Sequence, residues 1–172
     1  MCSAVVVLSC DKVDDVTFGV VLTHTFHVNQ IAAGDDLVYQ TEGLLDAASV
    51  DSDFNKYKEN IKSVAVANVT YTIQNCTTAG VTLSGGTLAY SSNRTTDPDP
   101  AIGVVDLGLG NIKAAENQET NLHFSQVAIN DMSNLLKAYK QLNLYFNGTL
   151  STTPANFDVL VKINATVTAG KL

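Results

Sequence analysis

The strongest constraint in the chain is alternation by twos. Phe157, Val159, Val161, Ile163, Ala165 and Val167 are apolar, while Asp158, Lys162, Asn164, Thr166 and Thr168 between them are polar. Only Leu160 breaks the pattern. Side chains of an extended chain point to opposite faces in turn, so this segment predicts a strand with one buried and one wet side. Val16 to Val28 repeats the pattern, with Val16, Phe18, Val20, Leu22, His24, Phe26 and Val28 in one row. Thr17, Gly19, Thr23, Thr25 and His27 form the other row, and Val21 is the exception.

Further runs follow the same rule. After the Gly34-Asp35-Asp36 turn signal, Leu37, Tyr39 and Thr41 resume alternation, which reads as an antiparallel partner of the first strand. Ala65, Ala67, Val69, Tyr71 and Ile73 alternate within Ile61 to Ile73, and Val64 and Val66 suggest a first half covered on both sides. Val81 to Leu83, Gly85-Gly86 and Leu88 to Tyr90 read as a hairpin or a bulged strand. Ser91 to Pro100 is the longest loop, Gly103 to Leu109 a short strand, and Asn117 to Asn121 turn-like. Leu122, Phe124 and Val127 suggest a strand entering a helix. Leu142, Leu144 and Phe146 make another strand, and Pro154 marks the connection to the last.

Two segments change period. Asp51 or Ser52 can cap a short helix near Asp53 to Asn60 that buries Phe54 and Tyr57. Asn130 or Asp131 would cap a second, with Met132, Leu135, Leu136 and Tyr139 on one stripe. Seven to nine strands with two short helices predict a mainly β fold: two antiparallel sheets packed face to face as an immunoglobulin-like sandwich. A closed barrel is the other arrangement, less suited to helices that cross between sheets. The 172 residues suffice for one such domain, 16–172, preceded by a tether, 1–15.

Composition removes whole classes of function. A net charge of −7 opposes binding of phosphate backbones, so nucleic acid is not an expected partner. No apolar run approaches the ~18 residues of a membrane-spanning helix.

The first ten residues, M-C-S-A-V-V-V-L-S-C, switch abruptly to Asp11-Lys12-Val13-Asp14-Asp15. Val7-Leu8-Ser9-Cys10 resembles the lipobox of bacterial lipoproteins, in which a signal peptidase cuts before a Cys that carries lipid. Leu8 stands where smaller residues are usual, and neither a basic n-region nor a full-length apolar run precedes it. The acidic cluster with Lys12 resembles the export signals of Bacteroidetes-type surface lipoproteins. The resemblance implies lipid on Cys10 and an address in the cell envelope, at the outer-membrane surface or in the periplasm. The other reading of Ser3 to Ser9 is a first, edge strand. Cys2, Cys10 and Cys76 show no metal spacing, and Cys76 is expected to be a buried lone thiol. A disulfide from Cys76 to Cys2 or Cys10 is the alternative.

Candidate chemistry is sparse. His24 and His27 form H-x-x-H, which on a strand places the rings on opposite faces, so they do not share a metal. His123 stands alone. Asp14-Asp15, Asp35-Asp36 and Asp97-Pro98-Asp99 read as solvated turns, with Ca²⁺ as the other use of such loops. Ser84-Gly85-Gly86 reads as turn chemistry and not as a nucleophile elbow, and Gly108-Leu109-Gly110 lacks the full glycine pattern and opening helix of a phosphate loop. Asn68, Asn75, Asn93, Asn147 and Asn164 each open an N-x-T sequon, a glycan site in a secreted eukaryotic protein and without that meaning in a bacterial lipoprotein.

The expected function is therefore non-enzymatic: a lipid-anchored envelope domain for binding or adhesion to a protein or glycan, without cofactor or metal. The alternative is a fibre subunit in which Val5-Val6-Val7-Leu8 is donated to a neighbour's sheet. A hydrolase or lyase would require His24, His27 or His123 to meet Asp or Glu in a cleft.

Overall fold

A computed structural model describes residues 15–30, 37–91 and 103–172. Eight strands form two antiparallel four-stranded sheets. In chain order they are β1 (Val16–Gln30), β2 (Val38–Asp46), β3 (Ile61–Gln74), β4 (Leu83–Tyr90), β5 (Val104–Asp106), β6 (Glu119–Leu122), β7 (Gln141–Leu150) and β8 (Ala155–Ala169). One sheet runs β1-β8-β3-β6 and the other β2-β7-β4-β5. The expected sandwich is present, and its strand order is that of an eight-stranded jelly roll. The immunoglobulin comparison holds for the two-layer packing; the connections follow the jelly-roll order.

The two long alternating segments, β1 and β8, lie side by side in unbroken register from Val16↔Ala169 to Gln30↔Ala155. Their apolar rows are buried against the second sheet, where Leu45, Leu83, Leu88, Leu144 and Phe146 face them. β1 and β2 do not form the expected hairpin. β1 pairs with β8 and β2 with β7, so the connection crosses from one sheet to the other. Each of these strands has one apolar row, and burying both against a common core is met by facing layers as well as by pairing.

In β3 a register shift between Val66 and Asn68 changes the phase of the strand. Val64 and Val66 before it and Val69, Tyr71 and Ile73 after it thus all point inward, while Ala65 and Ala67 are exposed. Apparent two-sided burial is really one face interrupted by a bulge. A second irregularity lies between Ser84 and Thr87 of β4, where Gly85 takes φ +60°, so this segment is a bulged strand and not a hairpin. β5 is shorter than expected. β6 begins at Glu119, inside the segment read as a turn, and ends before Phe124 and Val127.

Helices make the crossovers at one end. Between β2 and β3, α1 (Ala47–Val50), α2 (Ser52–Tyr57) and a 3₁₀ turn (Lys58–Asn60) follow one another. The Asp46 carboxylate accepts from the Ala48 and Ser49 N–H groups, and that of Asp51 from Phe54 N–H. Phe54 is fully buried as expected. Between β6 and β7 lies α3 (Gln126–Tyr139), which begins five or six residues earlier than Asn130 or Asp131 as cap would place it. Ser125 is the cap, accepting from Ala128 N–H at 3.2 Å. The buried stripe is Ala128, Met132, Leu135 and Leu136, and Tyr139 is half exposed. Ser133 Oγ accepts from Val66 N–H at 3.0 Å, so α3 covers the edge of β3 beyond the end of β6.

Ser125→Ala should lower unfolding stability by about 1 kcal/mol, whereas Asn130→Ala should change it little; denaturant titration of both variants checks the placement of the cap.

Candidate binding face

The outer side of the β1-β8-β3-β6 sheet collects the polar rows of its long strands. Register sets the neighbours. Thr23, Lys162 and Thr70 form one row, Thr25, Leu160, Thr72 and Glu119 the next, and Val21, Asn164 and Asn68 another. Cross-strand hydrogen bonds hold these groups in place. Asn164 Nδ2 donates to Asn68 Oδ1 at 2.6 Å, and Thr70 Oγ1 donates to Glu119 Oε1 at 2.7 Å. Lys162 Nζ lies 3.3 Å from the same Glu119 oxygen. The Thr70 hydroxyl first, then Lys162, hold the Glu119 carboxyl below its ordinary range. Two of the sequon asparagines are thus hydrogen-bonded to each other on a rigid sheet.

At one margin of this face His27 stands opposite Asp158. His27 Nδ1 donates to Asp158 Oδ1 at 2.7 Å, and Asn75 Nδ2 donates to Oδ2 at 2.6 Å. The imidazole is 73% exposed and the carboxylate 15%. Among the described residues this is the one His–carboxylate hydrogen bond. It lies on an open surface and not in a cleft. Asp158 and Asn75 escaped sequence reasoning because nothing local says that β1 neighbours β8. The outward position of Asp158 in the period-2 row of β8 was the available signal, whereas Asn75 lies past the end of β3 with φ +53°.

His24 points the other way, into the flank between β1 and β2. Its ring packs edge-on against Phe26 with centroids 4.7 Å apart, and it fills the space a Cβ on Gly43 would need, 1.9 Å from Nε2. Glycine at 43 is what lets the imidazole reach across between the sheets. Phe26 and Tyr39 both meet Phe146, and Tyr39 Oη donates to His27 O at 2.7 Å, closing this flank with aromatic rings. Burial, with a smaller contribution from His27, lowers the His24 pKa below its ordinary 6.5.

His123 lines a cleft of about 490 Å³ on the opposite flank, together with Tyr71, Asp106, Leu109, Thr120 and Asn121. Tyr71 Oη donates to Leu107 O at 2.9 Å, and Asp106 Oδ1 accepts from Gly108 N–H at 2.7 Å. Gly108 has φ +62°, a left-handed backbone that glycine adopts freely, in a segment that is neither helix nor strand. Cys76 is a buried free thiol. Asp15 pairs with Lys62 at 2.5 Å. Cys2, Cys10, the Val5–Leu8 segment, Asp14, Asp35, Asp36, Asn93, Asp97 and Asp99 lie outside the described residues. Among the described residues no cluster of three or more His, Cys, Asp or Glu could hold a metal.

No family model matches the chain. No curated protein matches it either. Among solved structures it is similar to Desmodium yellow mottle tymovirus, at 11% identity and TM-score 0.37, over 90% of this chain and 84% of that one. It is similar to turnip yellow mosaic virus at 12% identity and TM-score 0.38, over 90% and 97% of the two chains.

Burial in the folded protein disfavours the charged form of His24, whereas the unfolded chain lets it protonate near its ordinary value of 6.5. Stability should therefore fall as pH drops through that value and level off below the folded pKa. Thermal melts from about pH 7.5 to about pH 5 should show a loss that His24→Phe lacks. Gly43→Ala should cost about 1–3 kcal/mol by displacing the ring, and much less in a His24→Ala background; a double-mutant cycle measures the coupling.

Proposed function

We propose that this chain is a non-enzymatic, lipid-anchored domain of the cell envelope, held through Cys10, that binds a neutral glycan or a protein partner through the outer face of the β1-β8-β3-β6 sheet. The observation that carries the reading is the order of that face. Asn68 and Asn164 are fixed by a hydrogen bond to each other before any ligand arrives. Their remaining donors and acceptors keep constant spacing, so a hydroxyl-rich or peptide ligand finds partners whose ordering entropy is already lost. Thr and Asn predominate there, and Lys162, Glu119 and Asp158 are each engaged with neighbouring side chains. Such a surface pairs with neutral polar groups better than with ions.

The anchor fits the same geometry. Val16 lies beside Ala169, and Ala169 beside Ile61, at the end where the helices make their crossovers. Asp15, the last residue of the proposed tether, is tied to Lys62 at that end. Lipid on Cys10 would leave only the short Asp11–Asp15 run between membrane and sandwich.

Intact mass and membrane fractionation of the native protein test the anchor. A diacyl or triacyl adduct on Cys10 in the membrane fraction is expected, and an unmodified Cys10 in soluble protein would overturn it. A glycan array followed by pull-down from envelope extract tests the face. Asn68→Ala and Asn164→Ala should each weaken binding about tenfold, and binding that ignores both substitutions would refute the assignment.

A further inference from the structure

The sandwich has two outer strands in each sheet, and three of these four edges are blunted in recognisable ways. β5 and β6 span only 3 and 4 residues. The length of β3 that β6 leaves bare is covered by α3, whose Ser133 takes the Val66 N–H. β2 carries Glu42 and Asp46 within its 9 residues. Short strands, covering helices and charges are the usual means of preventing one sheet edge from pairing with another.

β1 has none of these. It runs 15 residues, pairs with β8 without a single register shift, and contains no Pro, Lys, Arg, Asp or Glu. Among the described residues no strand pairs with its outer edge. The His27 carbonyl accepts from Tyr39 on that side. In an antiparallel ladder each residue turns its N–H and C=O the same way and its neighbours turn theirs oppositely. Thr17, Gly19, Val21, Thr23 and Thr25 therefore direct their backbone groups outward. Val21 is half exposed on the outer face, an apolar residue in a polar row.

We infer that β1 is a self-association edge, pairing antiparallel with β1 of a second copy about a two-fold axis at Val21. That axis sets Val21 against Val21, Gly19 against Thr23 and Thr17 against Thr25. The pairing makes about ten backbone hydrogen bonds and brings no two charged groups together. In a chain of net charge −7, an edge without carboxylates lets two copies meet with no like charges opposed. The product is one continuous eight-stranded sheet with the polar faces of both copies on the same side. The dimer stands independently of the lipid anchor and of the ligand.

Sedimentation equilibrium of the full chain tests it, together with amide hydrogen exchange. The expected result is a dimer in which exchange at Gly19, Val21 and Thr23 slows as concentration rises. Val21→Lys places two ammonium groups at the axis and should raise the dissociation constant about tenfold or more. Thr23→Pro removes an outward N–H without touching the β8 ladder and should also favour the monomer, with unchanged circular dichroism. Val6→Asp should have no effect. A monomer up to millimolar concentration, or a dimer indifferent to both edge variants, overturns the inference. Oligomers that grow past the dimer and vanish with Val6→Asp overturn it in favour of strand donation from the N-terminal segment. Should either variant unfold, the exchange pattern of the unaltered chain decides alone.

Discussion

Much of the molecule depends on β8. Its Phe157, Val159, Val161, Ile163, Ala165 and Val167 form an uninterrupted buried row, and it is hydrogen-bonded on both sides, to β1 and to β3. A strand paired on both edges fixes the register of its neighbours. A one-residue slip of either would turn its whole apolar row to water. β8 therefore decides which polar groups meet on the outer face: His27 with Asp158, and Asn164 with Asn68. The hydrophobic row inside and the polar constellation outside are two sides of one constraint.

The flanks show how a sandwich with open sides keeps water out. On one side β1 and β2 are bridged by rings, with His24 seated over Gly43 and Tyr39 and Phe26 meeting at Phe146. On the other, α3 lays Ala128, Met132 and Leu136 against the core and lends Ser133 to the edge of β3. Tyr90 Oη donates to the Ala128 carbonyl at 3.1 Å, tying the helix to the second sheet. Aromatic closure uses a titratable ring, whereas helical closure uses aliphatic packing.

The two-layer architecture was legible because Val16–Val28 and Phe157–Val167 alternate too regularly for any other use. The helix around Phe54 was legible as well, from its Asp51 cap and its change of period. Pairing was not. The Gly34-Asp35-Asp36 signal predicts a turn, yet local chemistry does not say whether the strands on either side join one sheet or face each other across the core. The bulge in β3 was hidden for a related reason. Val64, Val66, Val69 and Tyr71 look like two faces until the partner strand shows that one residue is extra. The early start of α3 at Ser125 was readable in principle, since Ser is a good cap, but Asn130 and Asp131 compete with it on equal local terms.

The sequence by itself determined that this chain builds extended, one-sided strands and two helical crossovers, because side-chain period is a local property of the backbone. Only the tertiary structure decided the jelly-roll order, the meeting of His27, Asp158 and Asn75, and the place of β1 at the margin of its sheet among the described residues. Those depend on which strands become neighbours across more than a hundred residues, as with His27 and Asp158. Such neighbours are chosen by burying every apolar row at once, a condition on the whole chain that no short window of it contains.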